Sequence, residues 1–190
     1  MAKTPSSMLP LGTQAPGFSL TDVITDMPVN LHQSDNQEAA TVICFICNHC
    51  PYVKYINQAL TKLANDYIPK HIRFIAINSN DTDNYPDDSP ENMKITAQNE
   101  GYAFPYLFDS TQEVAKAYHA ACTPDFFVFD QDLRLAYRGQ LDDARPGNGI
   151  TPSGTSIREA LDCLLQGAPV SDHQKPSIGC NIKWKENQTA

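Results

Sequence analysis

The sequence predicts an α/β fold, a central mixed β-sheet with helices on both faces. Three observations carry this. Two apolar runs rich in β-branched residues, 40–46 and 72–78, flank a segment, 51–66, with apolar residues at helical spacing. A hairpin pattern, Phe126-Phe127-Val128-Phe129 and Arg134-Leu135-Ala136-Tyr137-Arg138 around Asp130-Gln131-Asp132, follows further on. An amphipathic helix pattern, 156–166, comes after it. The order β-α-β early and α-β-β-α late places helices on either side of one sheet.

Each element has a local reason. Residues 1–10 read as a loose tail, and Leu11 to Leu20 as an extended lead-in to a short strand around Val29-Asn30-Leu31. The 40–46 run reads as a buried central strand. In 51–66, Val53, Ile56, Leu60, Leu63 and Ala64 form one apolar face, and Pro51 suits the opening turn because its missing N–H costs nothing there. Ser79 to Pro90 is rich in Asp, Asn and Pro, the composition of a long surface loop, and loops of this length are often functional. Pro90 opens a short helix that Gly101 closes, Tyr106-Leu107-Phe108 is a short strand, and Ser110 with Glu113 forms a capping box for the next helix. Ile157, Ala160, Leu161 and Leu164 share a face of the last helix, which Gly167 stops. One domain suffices for 190 residues; no internal repeat or linker divides them.

Composition narrows the function classes. The formal charge is −8, without a block of Lys and Arg, which argues against nucleic-acid and anionic-membrane partners. No apolar run approaches the ~18 residues of a membrane span. The N-terminal segment has one lysine and no apolar core of signal-peptide length, so the expectation is a cytoplasmic protein. Six cysteines in a reducing compartment point to catalysis, metal binding or burial rather than a disulfide framework.

Chemistry concentrates at Cys47-Asn48-His49-Cys50, between strand and helix. A Cys-x-x-Cys pair there is the working part of a dithiol redox centre. Orphan N–H groups and the macrodipole at the helix N-terminus favour a thiolate, and the expectation is that Cys47 is the low-pKa nucleophile and Cys50 the partner that closes the disulfide. Two readings of His49 stand: a cation between the sulfurs that stabilises the thiolate, or a solvated turn residue. Cys44 and Cys163 fall in core-like positions. Cys44-x-x-Cys47-x-x-Cys50 has the spacing of an iron–sulfur run, but Cys44 lies within a strand and the next cysteine is Cys122, so no metal and no organic cofactor is expected.

Leu11-Gly12-x-x-Ala15-Pro16-x-Phe18, Phe45-x-Cys47-Asn48-His49-Cys50-Pro51-Tyr52-Val53 and Thr123-Pro124-Asp125-Phe126-Phe127, with Asp142-Asp143-x-Arg145-Pro146-Gly147-Asn148 and Pro176-Ser177-Ile178-Gly179-Cys180, resemble the thioredoxin fold as elaborated in the peroxiredoxin-like, AhpC/TSA-related redoxin branch. The resemblance implies a redoxin domain over 11–167, between an N-terminal tail, 1–10, and a C-terminal tail, 168–190. It implies that Pro124 is cis and leaves the backbone of Thr123 for an extended substrate; a trans proline at a strand start is the alternative. Cys122 is then either a third redox partner or a small buried hydrophobe. Cys180 either folds back onto the pair, as resolving cysteines do in peroxiredoxins, or is an incidental surface thiol. The peroxiredoxin pattern Pro-x-x-x-Thr-x-x-Cys is met in neither register: Cys44 and Ala40 stand where Thr and Pro would precede Cys47, Cys47 and Ile43 where they would precede Cys50. The implied activity is thiol–disulfide exchange, with a disulfide-bearing protein or small molecule as substrate and a thiol as electron donor. Hydroperoxide reduction at Cys47 and a non-catalytic redox-sensing or metal-holding module are the rivals.

Overall fold

Burial on both faces decides which strands are central. The computed structural model describes residues 3–32 and 38–186. In chain order its elements are β1 (Lys3–Pro5), β2 (Phe18–Asp22), β3 (Pro28–Leu31), β4 (Ala40–Phe45), α1 (Pro51–Tyr67), β5 (Ile72–Asn78), α2 (Pro90–Glu100), β6 (Tyr106–Phe108), α3 (Glu113–Ala117), β7 (Cys122–Thr123), β8 (Asp125–Asp130), β9 (Leu135–Gly139), α4 (Thr155–Leu165) and β10 (Ile178–Asn181). Every residue of β4 is buried, and it lies between β5, parallel to it, and β8, antiparallel. The main sheet runs β3-β2-β6-β5-β4-β8-β9, with parallel and antiparallel pairs as the sequence order predicts.

The period-two alternation of β4 divides the core. Val42 and Cys44 join a cluster with Ile56, Leu60 and Leu63 of α1, Met93 of α2 and Ile157 of α4. Ile43 and Phe45 face the other way, into a cluster with Phe127, Phe129, Ala115 of α3 and Tyr118. Tyr118 is its hub, edge-on to Phe127 and Phe129, while its hydroxyl donates to the Pro16 carbonyl at 2.8 Å. Helices therefore cover both faces, and no described helix is long and apolar enough to cross a membrane.

Three local expectations change. Residues 3–5 are not loose: β1 pairs with β10, and β10 with β7, in a second, three-stranded sheet that ties both chain ends to the domain. Residues 1–2 and 187–190 of the expected tails lie outside the described residues. The predicted Ser110–Glu113 capping box is absent; α3 begins at Glu113 after a left-handed Gln112. Buried Asp109 takes the orphan donors instead, accepting from the N–H of Ala115 at 2.9 Å and of Val114 at 3.4 Å. The third change is in the Ser79–Pro90 loop, where Pro86–Asp88 forms a 3₁₀ turn ending at Ser89, whose hydroxyl accepts from the Asn92 N–H and caps α2.

Leu60 is fully buried between α1 and the sheet, whereas Ile95 is 53% exposed on α2. Leu60→Ala should lower the unfolding free energy by about 2–5 kcal/mol. Ile95→Ala should stay within about 0.5 kcal/mol. Denaturant titration of the reduced protein measures both, and equal effects would contradict the core described.

Candidate active site

The chain leaves β4 at Phe45, and the Ile46 N–H holds it against Ile77 O for one more residue. Cys47 to Cys50 then cross to α1. The helix starts at Pro51, with Cys50 as its extended N-cap residue. The expectation that Cys47 occupies the helix N-terminus is thereby corrected: Cys50 does. Cys47 is 1% exposed and Cys50 0%, so both sulfurs lie beneath the surface.

Thr123 holds both sulfurs. Its hydroxyl lies 3.2 Å from Cys47 Sγ, and its carbonyl oxygen lies 3.2 Å from Cys50 Sγ. The Thr123–Pro124 peptide is cis, as the resemblance implies. The Thr123 backbone is not left open, however, because Cys180 of β10 stands opposite it in an antiparallel pair. Cys50 Sγ and Cys180 Sγ are 3.0 Å apart. The structure thus brings Cys47, Cys50 and Cys180 together around one residue.

The two thiols of the pair titrate in opposite directions. A hydrogen bond from Cys47 brings the Cys50 thiol down to about 5; burial opposes this, and the Cys180 thiol and the N–H groups of Val53 and Cys180 add to the fall. The Val53 N–H is an orphan donor of the first turn of α1, so the N-cap position itself favours the thiolate. Donating that hydrogen bond to Cys50 pushes the Cys47 thiol well up, as do burial and the negative charge of Asp88, while the Thr123 hydroxyl pulls it down. The surroundings thus push the two thiols of the pair apart, Cys50 down and Cys47 up.

His49 does not stand free between the sulfurs. Its Nδ1 lies 2.6 Å from Asp88 Oδ2, and its ring stacks on Tyr85 at 5.7 Å and 13°. The Asp88 hydrogen bond raises the His49 pKa against partial desolvation, which favours the charged ring beside the carboxylate. Burial pushes Asp88 up, but the bonds from His49, Asn80 and Asn48 more than offset this and leave it below the usual carboxylate value. Asp88 Oδ1 accepts from the Asn48 N–H at 2.7 Å, and Oδ2 from Asn80 Nδ2 at 2.8 Å. Asn48 also donates to Asp87 O and accepts from the Tyr106 hydroxyl. The loop from Ser79 to Pro90 is therefore a strap across the Cys-x-x-Cys segment. Asp88, Asn80 and Tyr106 escaped the sequence reading; the loop's Asp and Asn richness was the available signal, but it did not say which acid turns inward.

The other candidates separate cleanly. Cys122 is buried, with its thiol pushed up by desolvation and directed at Pro124 O at 3.7 Å, which is the buried-hydrophobe reading. Cys44 donates to Ile75 O within the sheet. Cys47 Sγ, His49 Nδ1 and an Asp88 oxygen lie within 4.8 Å of one another, a donor set that suits zinc. A cation there would have to displace the His49 proton and compete with the donors that already satisfy Asp88.

Three comparisons bear on this arrangement. The family model described as the AhpC/TSA family matches residues 11–138. Among solved structures, an uncharacterised protein of Geobacillus kaustophilus is 62% identical over 98% of each chain, with a TM-score of 0.95. A protein of Sinorhizobium meliloti is 46% identical, with a TM-score of 0.93 over 97% of this chain and all (100%) of that one. The thioredoxin domain of a thiol-disulfide oxidoreductase of Bacteroides vulgatus has a TM-score of 0.60 at 15% identity, over 79% of this chain and 96% of that one, a likeness of fold. No curated protein matches the chain.

Two outcomes follow from the site's electrostatics. Thiolate absorbance of reduced protein should disappear as pH falls through about 5, persist in Cys47→Ser, which keeps a hydroxyl donor, and be lost in Cys50→Ser. Persistence in Cys50→Ser and loss in Cys47→Ser would restore Cys47 as the thiolate. His49→Gln should destabilise the protein by about 1–3 kcal/mol, because Asp88 loses a charged donor. The His49 pKa is raised from 6.5, so its contribution is complete below 6.5 and lost as pH rises through the folded value. Unfolding free energies of wild type and His49→Gln should therefore converge on the alkaline side; a pH-independent gap would refute the ion pair.

Proposed function

The chain belongs to the AhpC/TSA family, and on that footing we propose that it is a thiol–disulfide oxidoreductase whose working pair is Cys47 and Cys50. One observation carries the reading: a helix N-cap cysteine with a second cysteine three residues before it, both sulfurs set against Thr123. The Cys50 thiolate attacks one sulfur of a substrate disulfide, forming a mixed disulfide and releasing the other sulfur as a thiolate. Cys47 gives its proton to that leaving thiolate and attacks Cys50 Sγ. The second substrate sulfur leaves, and a Cys47–Cys50 disulfide remains, two electrons having passed to the substrate. An external thiol donor returns them.

The burial of both sulfurs favours a second reading, reduction of a small hydroperoxide, since a small molecule needs less of the surface to move than a protein disulfide does. There Cys50 would attack the peroxide and become a sulfenic acid, and Cys47 would displace water to form the same disulfide. Catalysis in either reading requires no organic cofactor, and a reducing, cytoplasmic setting would supply the donor thiol.

Reduction of insulin disulfides and consumption of hydrogen peroxide, each with glutathione and with thioredoxin as donor, test the readings. Disulfide reduction should exceed peroxide consumption and vanish in Cys50→Ser. Cys47→Ser should stall as a mixed disulfide. Peroxide consumption alone would replace the first reading with the second, and full activity of Cys50→Ser would end both.

A further inference from the structure

Cys180 arrives at the site by construction. Its strand β10 is fastened on both sides: Ser177 exchanges bonds with Ser6 at 2.9 Å and donates through its hydroxyl to Gly139 O, while the Ile182 N–H reaches Ala121 O. Further along, Lys183 N–H donates to Asn80 Oδ1, and Gln112 bonds both Lys183 O and Lys185 N–H. Between these anchors Gly179 passes so close to Thr123 that a Cβ built on it would lie 2.0 Å from the Thr123 carbonyl oxygen. Only glycine permits that approach. The approach seats Cys180 opposite Thr123, 2% exposed, with its sulfur 3.0 Å from Cys50 Sγ.

An extended segment paired with the residue before Pro124, and presenting a sulfur to the pair, has the geometry of a docked disulfide substrate. We propose that β10 is an intramolecular substrate, with Cys180 exchanging into the Cys47–Cys50 disulfide to form a Cys50–Cys180 disulfide that locks the strand over the site. The proposal rests on the dithiol reading above. In the exchange, Cys180 Sγ attacks Cys50 Sγ; the Cys50–Cys180 bond forms and the Cys47–Cys50 bond breaks. Cys47 leaves as a thiolate and takes the proton that Cys180 gives up. No electrons are gained or lost, so no outside oxidant is required for the step. Before it, β10 is held by hydrogen bonds and packing alone and can release the Thr123 edge. After it, the edge is closed covalently and Cys47 is again a thiol.

Full-length wild type, Cys47→Ser and Cys180→Ser are oxidised with diamide, acid-quenched, alkylated and mapped by mass spectrometry, with circular dichroism to confirm folding. Wild type should yield both Cys47–Cys50 and Cys50–Cys180 peptides. Cys47→Ser should yield monomeric Cys50–Cys180, and amide exchange over residues 178–181 should slow on oxidation in both proteins. Cys180→Ser should yield Cys47–Cys50 only, with exchange over 178–181 the same in either redox state. A Cys47–Cys50 disulfide in wild type, alongside folded Cys47→Ser with free thiols or intermolecular dimers only, overturns the lock while leaving the dithiol reading intact. Wild type that forms no disulfide overturns both.

Discussion

Everything at the site is referred to one residue, Thr123. Its hydroxyl meets Cys47, its carbonyl meets Cys50, and its backbone pairs with Cys180. The rest of the fold can be understood as holding that residue still. β8 starts one residue beyond it, after Pro124, and is antiparallel to β4, the strand that delivers the Cys-x-x-Cys segment. The register sets Phe45 opposite Asp125, so Cys47, two residues after Phe45, meets Thr123, two before Asp125. A one-residue slip would exchange the two core clusters along with the site, because Val42 and Cys44 serve one and Ile43 and Phe45 the other.

Burial alone would make both sulfurs poor nucleophiles, since a low-dielectric setting disfavours the charged form. The N-cap breaks the symmetry. Cys50 receives donors from Cys47, Cys180 and the first turn of α1, while Cys47 is left facing the Asp88 carboxylate. Two identical groups thus acquire different roles from their surroundings. His49 enters through Asp88: by pairing with it, the imidazole offsets a carboxylate that, with Cys50, opposes a thiolate at Cys47.

The sheet, its central strands, the long helices and the Cys-x-x-Cys junction were legible because periodicity and punctuation are local. Phe126 to Phe129 and Ile72 to Asn78 declare buried strands without knowledge of their partners. What escaped depended on contacts far apart in sequence or on where a helix takes its first turn. Lys3–Pro5 carries no strand signal of its own and becomes a strand only because β10 offers it an edge. Asp109 replaces Ser110 as the acceptor at α3 because a left-handed Gln112 delays the helix. Cys47 was assigned the helix N-terminus because a Cys-x-x-Cys does not say how far the loop runs before Pro51 starts the helix. Cys180 beside the pair was one of two readings the sequence offered; with 130 residues between it and Cys50, local pattern could not choose between them.

These long-range pairings set the terms on which any substrate is met. The strand that covers Thr123 is short, and its partner β7 is two residues long. Its attachment therefore depends less on the ladder than on what flanks it: Ile182 in the Tyr118 core, Lys183 on Asn80, Ser177 on Ser6. Asn80 also bonds Asp88, which holds the Cys-x-x-Cys loop. The tail and the strap thus share an anchor, and displacement of β10 pulls on the side chain that helps to keep Asp88 charged beside Cys47. Asn80 therefore links the tail that covers Thr123, through Lys183, to the carboxylate that faces Cys47.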